Sequence, residues 1–156
     1  MAHLSVSDAA RRVGIKNRTI LGAIQSGRLS AKKTESGEFE VDSIGLFRLV
    51  GSMYDNGRGV AQDFANAAKW YRRAAEEGDT VSQTYLGFLY YCGRGVPQND
   101  VLAHMWFSLS AANGSKTAAE TRDSIGATMS PDQIAEARRL ASEWKPNGGI
   151  KPAAVP

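Results

Sequence analysis

The segment Gly51-Ser-Met-Tyr-Asp-Asn-Gly-Arg-Gly-Val60 returns 36 residues later as Gly87-Phe-Leu-Tyr-Tyr-Cys-Gly-Arg-Gly-Val96. The correspondence continues without insertion, pairing Gln62 with Gln98, Ala67 with Ala103, Trp70 with Trp106, Tyr71 with Phe107, Ala75 with Ala111 and Gly78 with Gly114. A period of this length marks a stacked-repeat architecture, because each unit is one supersecondary element that cannot bury its apolar face alone.

Each unit reads as a pair of antiparallel helices. Gly57 and Gly93 follow the helix-compatible runs Val50 to Tyr54 and Tyr85 to Tyr91, and a glycine there can take the left-handed conformation that closes a helix. Gly59 and Gly95 give a short loop, and a second helix is expected from about Phe64 to Glu77, ended by Gly78. Its small Ala67, Ala74 and Ala75 permit close helix approach, while Trp70 and Tyr71 fill the space between units. Tyr54, Trp70, Tyr90 and Trp106 share the spacing of the repeat and so read as inter-repeat core.

These positions, read from Val50-Gly51 to Gly78 and again from Leu86-Gly87 to Gly114, resemble the Sel-1-like repeat, a relative of the tetratricopeptide repeat. The resemblance extends over about residues 46 to 145. It implies an α-solenoid that serves other proteins as an adaptor or scaffold and carries no catalysis of its own.

A third unit is degraded: Ala118 fits its first helix, but Arg122 stands where Leu86 did and Gly126 where Tyr90 did. Ser130-Pro131-Asp132-Gln133 then predicts a strong helix start, with Ser130 as N-cap, Pro131 at the first helical position and Gln133 closing a capping box. Ile134, Ala137, Leu140, Ala141 and Trp144 give that helix one apolar face, so the unit reads as a terminal cap. Residues 146–156 read as a flexible tail.

The first fifty residues follow another pattern. Val6, Ala9, Ala10 and Val13 recur at helical spacing behind Ser5 as N-cap, and Gly14 ends the run. Asn17 is expected to cap a second helix holding Ile20, Leu21 and Ile24, closed by Gly27. Two short helices joined by a tight glycine turn make a helix-turn-helix unit. Arg28 to Lys33 and Glu38 to Val41 then predict a two-stranded hairpin turning at Ser36-Gly37, after which Asp42 caps another helix.

Residues 4 to about 48 resemble the winged helix-turn-helix of excisionase and MerR-type DNA-binding proteins. Carried over by position, the resemblance places Lys16, Asn17, Arg18, Thr19 and Gly22 against duplex DNA and Arg28, Lys32 and Lys33 against phosphates. Arg18 has the donors for a guanine edge and Asn17 can pair with adenine, while the other cations fix register. The glycine at 22 removes a contact, and Glu35, Glu38 and Glu40 beside Lys32 and Lys33 make the wing acidic. One reader of this kind implies modest affinity and docking as a homodimer or in multiple copies.

Charge follows the same division. Residues 1–50 carry eight basic and five acidic side chains and the remainder balances at eleven each, so the whole net charge of +3 lies in the N-terminal segment. The start Met1 to Arg12 has no long apolar run, which predicts a cytoplasmic protein without membrane attachment.

Two histidines and one cysteine assemble no catalytic or metal constellation, and no cofactor is expected. Cys92 reads as a small buried or half-buried side chain, and His104 as a helix-surface residue. The Gly57-Arg-Gly59 and Gly93-Arg-Gly95 loops have no preceding strand and no following Lys-Ser/Thr, so they read as hairpin turns and not phosphate cradles.

The expected fold is mainly α: a winged helix-turn-helix at 1–48 with one small β-hairpin, then a short α-solenoid at 43–145 of two full helix-hairpin repeats and a degenerate capping unit, sharing a helix at about 43–55. The expected function is a DNA-binding adaptor whose solenoid recruits a protein partner. The alternative is an interaction scaffold without DNA contact, whose N-terminal module only caps the repeats.

Overall fold

In the computed structural model, which describes residues 2–146, the backbone hydrogen bonds that close each hairpin recur at the 36-residue offset. Helices α3 (Ser43–Asn56) and α5 (Thr80–Cys92) both end on a left-handed glycine, Gly57 and Gly93, each at φ 64° and each donating its N–H to the carbonyl four residues back. The loops close identically: Asp63 donates to the Tyr54 carbonyl at 2.9 Å and Asn99 to that of Tyr90 at 3.0 Å. The same two residues then cap α4 (Phe64–Glu76) and α6 (Asp100–Ala112) through their side chains. The same turn and cap chemistry therefore closes both hairpins.

The third unit consists of α7 (Lys116–Gly126) and α8 (Pro131–Glu143). Ser130, Pro131 and Gln133 form the expected start of α8, including the reciprocal capping box. Trp144 lies just beyond the helix in extended geometry, yet its ring still meets Trp106 edge-on, with centroids 6.3 Å apart. Successive helices pack on one another from α3 to α7, whereas α8 returns to α6.

In front of the repeats stand β1 (His3–Ser5), α1 (Val6–Val13), α2 (Asn17–Gln25), β2 (Ala31–Lys33) and β3 (Phe39–Asp42). The expected hairpin is in fact part of a three-stranded antiparallel sheet in the order β1-β3-β2, with Leu4 opposite Val41 and Lys32 opposite Glu40. Three residues are too few for a sequence pattern to reveal β1, and its last residue, Ser5, doubles as the N-cap of α1. Residues Arg28 to Ser30 precede the strand, because the Arg28 and Leu29 amides are taken by the Ala23 carbonyl. Asn17 is the first residue of α2 rather than its cap; Lys16 holds the cap position without a side-chain bond, and the Asn17 amide instead donates to the Ser7 hydroxyl at 3.2 Å.

Helix α3 runs unbroken from its cap, where the Asp42 carboxylate accepts the Gly45 N–H at 2.7 Å, to Gly57. Its buried residues Leu46, Phe47, Leu49, Val50 and Met53 share one core with Ala9 and Val13 of α1, Ile20 and Ala23 of α2, Val41 of β3, and Trp70 and Ala74 of α4. A second core, around Tyr71, Leu86, Trp106 and Phe107, runs through α4 to α8.

The burial of two further residues differs from expectation. Cys92 is exposed, because the last turn of α5 presents it where Asn56 faces solvent one repeat earlier. His104 is buried, as is Ala68 at the equivalent place, so position in the repeat outweighs residue type. Among the described residues no helix is long and apolar enough to cross a membrane, and no three His, Cys, Asp or Glu side chains gather where a metal could sit. The tail expected at 146–156 lies, from residue 147 on, outside the described residues.

Candidate interaction groove

The absence of a side chain at Gly51 lets the Tyr71 ring of α4 lie flat against α3; a Cβ there would meet that ring at 2.7 Å. Gly87 does the same for Phe107, at 2.9 Å. With α3 and α4 so close, the Tyr71 ring reaches through to the α3–α5 side and stacks on Tyr85, with centroids 5.1 Å apart and planes 12° from parallel. The Tyr71 hydroxyl donates to the Asp55 carboxylate at 3.3 Å, and burial, then Asp55, pushes its pKa far above the ordinary phenol value. The ring is a neutral floor.

Above this floor a groove of about 250 Å³ runs between α3 and α5. Leu49 and Met53 form one apolar wall, and Val81 and Tyr85, 45% and 44% exposed, form the other. With Tyr91 they are the large apolar side chains exposed among the described residues, and these two share one cleft. Three guanidiniums edge it, from Arg28, Arg48 and Arg58. Arg48 is tied to Asp79 at 2.7 Å, and Asp79 also caps α5 by accepting the Ser82 N–H, so this pair fixes α3 against the start of α5. Arg28 donates to the Ser26 hydroxyl at 3.0 Å. Arg58 has no carboxylate within 4 Å among the described residues.

The residues expected to face DNA divide between two places. Lys16, Asn17 and Arg18 are exposed at the N-terminal end of α2, with Thr19 half-buried behind them and open space at Gly22. Lys32 and Lys33 are exposed on the edge strand β2, Lys32 directly opposite Glu40. Arg28 leaves this set and joins the groove. The repeat residues Gly51, Gly57, Gly59, Ala67, Trp70, Gly78, Gly87, Tyr90, Gly93, Gly95, Ala103, Trp106 and Gly114 all lie in turns, close helix approaches or cores, and Tyr54 packs half-buried between the two cores.

Val81, Tyr85, Arg48 and Arg58 carry no motif that sequence reasoning could have seized. Their counterparts one repeat earlier, Gly45 and Leu49 for Val81 and Tyr85, are buried, so the repeat pattern gives no sign that this pair is exposed.

Residues 48–79 and 80–115 match the Sel1 repeat model. The crystal structure of a protective antigen present in uropathogenic Escherichia coli strains, described as displaying an SLR fold, is similar over 65% of this chain with 30% identity and a TM-score of 0.63. This chain spans 22% of that antigen's length. A Sel1 repeat protein from Oxalobacter formigenes is 45% identical over 46% of this chain and 54% of its own, with a TM-score of 0.45. No curated protein matches.

Proposed function

We propose, from the two Sel1 repeats that this chain carries, that it is a protein-interaction scaffold whose α3–α5 groove receives an acidic, aromatic-containing peptide segment of a partner. The observation that carries this reading is the conjunction of exposed Val81 and Tyr85 with the Arg28, Arg48 and Arg58 rim: an apolar cleft edged by cations complements an apolar side chain flanked by carboxylates. Catalysis has no part in the reading.

In this reading the N-terminal module is the cap of the array. Its support is the shared core, in which α1, α2 and β3 cover the face of α3 and α4 that a preceding repeat would otherwise cover. The module also supplies Arg28 to the groove, which links the cap to partner selection.

The test is a displayed peptide library selected on the full chain, followed by affinity measurement on the winners. Acidic sequences with an aromatic or large aliphatic anchor are expected to be enriched. Arg58→Glu and Tyr85→Ala should each weaken binding by about tenfold or more, as loss of a rim charge and of an aromatic anchor does at other interfaces. Arg58 is a surface position, so its replacement should change stability by less than about 1 kcal/mol, whereas Tyr85→Ala also gives up the stack on Tyr71, about 0.5–1.5 kcal/mol beyond the buried area. Selection without charge bias, or binding indifferent to both variants, would remove the groove from the proposal.

A second reading, docking on duplex DNA, is favoured by one observation: Lys16, Asn17 and Arg18 stand exposed together at the start of α2, and Lys32 and Lys33 are exposed on the edge strand β2. On that reading a gel shift with random duplex at low salt shows retardation that weakens with added salt and in Arg18→Ala and Lys32→Ala/Lys33→Ala. Unretarded duplex at micromolar protein would eliminate it and leave the N-terminal module as a cap alone.

A further inference from the structure

The α6–α7 contact occupies the same place in the stack as the α4–α5 contact, yet four facing residues differ at once. Ala68, Arg72, Leu86 and Tyr90 of the earlier contact correspond, at the 36-residue offset, to His104, Ser108, Arg122 and Gly126. In the earlier contact Tyr90 fills the space, with its hydroxyl accepting a hydrogen bond from Arg72 and the Arg72 guanidinium lying 5.7 Å from the ring centroid. In the later contact Gly126 fills nothing. A cavity of about 550 Å³ opens there between α6, α7 and α8.

His104 is the side chain that this opening uncovers. It is only 5% exposed, and a Cβ at position 126 would lie 3.6 Å from its Nε2. The Ser108 hydroxyl donates to the His104 carbonyl at 2.8 Å, so the Ser108 oxygen is left to accept from Nδ1–H at 3.3 Å. Nε2 then remains a bare acceptor, with no protein partner among the described residues. Burial, and after it the charges of Arg122 and Arg138, hold the imidazole below the usual histidine range, with Asp123 pulling the other way. Arg122 of α7 and Arg138 of α8 line the same cavity, as does Asp123, the one carboxylate in its lining. Arg122 is paired at 2.8 Å with Asp123, whose side chain is largely exposed, whereas Arg138 has no carboxylate within 4 Å among the described residues.

We propose that this cavity is a binding site for a small phosphate, either inorganic phosphate or the terminal phosphate of a monoester. Two guanidiniums suit the oxygens of a tetrahedral oxyanion, to which arginine offers paired donors. The bare Nε2 chooses among oxyanions: the monoanion, still abundant at neutral pH for inorganic phosphate and below a second pKa of about 6 for a monoester, has an O–H to donate to it, while a carboxylate and sulfate have none. The degenerate third unit is then a site and not merely an eroded repeat, and it is separate from the α3–α5 groove.

His3 and His104 are the only histidines, and His3 is exposed, so proton NMR of the full chain reads the site with an internal control. Titration with inorganic phosphate, and separately with O-phosphoserine, should shift the His104 ring resonances saturably with at least one of the two, leaving those of His3 in place. Arg138→Gln should weaken binding by about tenfold or more, the loss of one charge-assisted contact. Gly126→Tyr, which restores the side chain of the preceding unit, should abolish it. The proposal is overturned if neither phosphate moves His104, if acetate or sulfate moves it equally well, or if Arg138→Gln binds like the parent protein; this last variant alters an exposed side chain and tests the site even where Gly126→Tyr misfolds.

Discussion

Gly95→Ala is expected to destabilise the protein by about 3 kcal/mol or more, the largest effect of any glycine-to-alanine change among the described residues. Two costs combine. Gly95 sits at φ +70°, a left-handed conformation that costs an L residue about 1–2 kcal/mol. A Cβ there would also collide with the backbone of the preceding repeat, at the Phe64 carbonyl and, at 2.5 Å, the Ala65 nitrogen. Backbone at the start of a capped helix cannot swing aside as a side chain can. Gly114→Ala has φ +98° but open space, so only the conformational cost should appear, about 1–2 kcal/mol. Gly59, the equivalent of Gly95 one unit earlier, would meet only the flexible end of Met53 at 3.2 Å. Urea midpoints of the three variants should therefore rank Gly95→Ala well below the other two, at unchanged m-value. Equal midpoints would contradict the inter-repeat contact.

Phe47→Ala should cost about 3–5 kcal/mol and should loosen both ends of the first core together. Phe47 is 2% exposed, its ring centroid lies 5.6 Å from that of Trp70, and the Arg12 and Arg73 guanidiniums lie 5.5 Å and 5.7 Å from it. It thus joins α1, at the front of the N-terminal module, to α4, in the first repeat. Native-state hydrogen exchange of the variant should show α1, α2 and α4 losing protection in parallel. If α1 and α2 alone open while α4 keeps its protection, the two modules do not share a cooperative core. Tyr91→Ala, at a ring 46% exposed, serves as the neutral comparison, expected within about 0.5 kcal/mol.

Most of the solenoid was legible because its determinants are local. A left-handed glycine at 57 and 93, and Ser130 with Gln133 at the head of α8, act within a few residues of chain, so a linear reading finds them. Strand β1 was not legible: three residues hold no period, and they become a strand only when Leu4 finds Val41 across a gap of 37 residues. Cys92 and His104 were misplaced for a related reason. Their burial depends on which face of the stack their repeat position serves, which residue type does not state.

The candidate sites divide in the same way. The basic residues of α2 and β2 were visible as a charge excess, but the departure of Arg28 from that set to the groove was not, since it depends on how the turn after α2 approaches α3. Arg122 and Gly126 stood out in the sequence as departures from the repeat. Read singly they look like decay; only the approach of α8 to α6, bringing Arg138 over His104 and Ser108, turns them into the wall of one cavity.

The sequence by itself determined the repeat length, the turns that close each hairpin and the residues that fill the space between units, because these rest on backbone conformations and side-chain volumes that recur at a fixed offset. The tertiary structure alone decided that the N-terminal module and the first repeat share a core, and that a groove and a cavity lie where the repetition fails. Those features arise between elements distant in the chain, where the space left by one side chain has meaning only beside the neighbour that does or does not fill it.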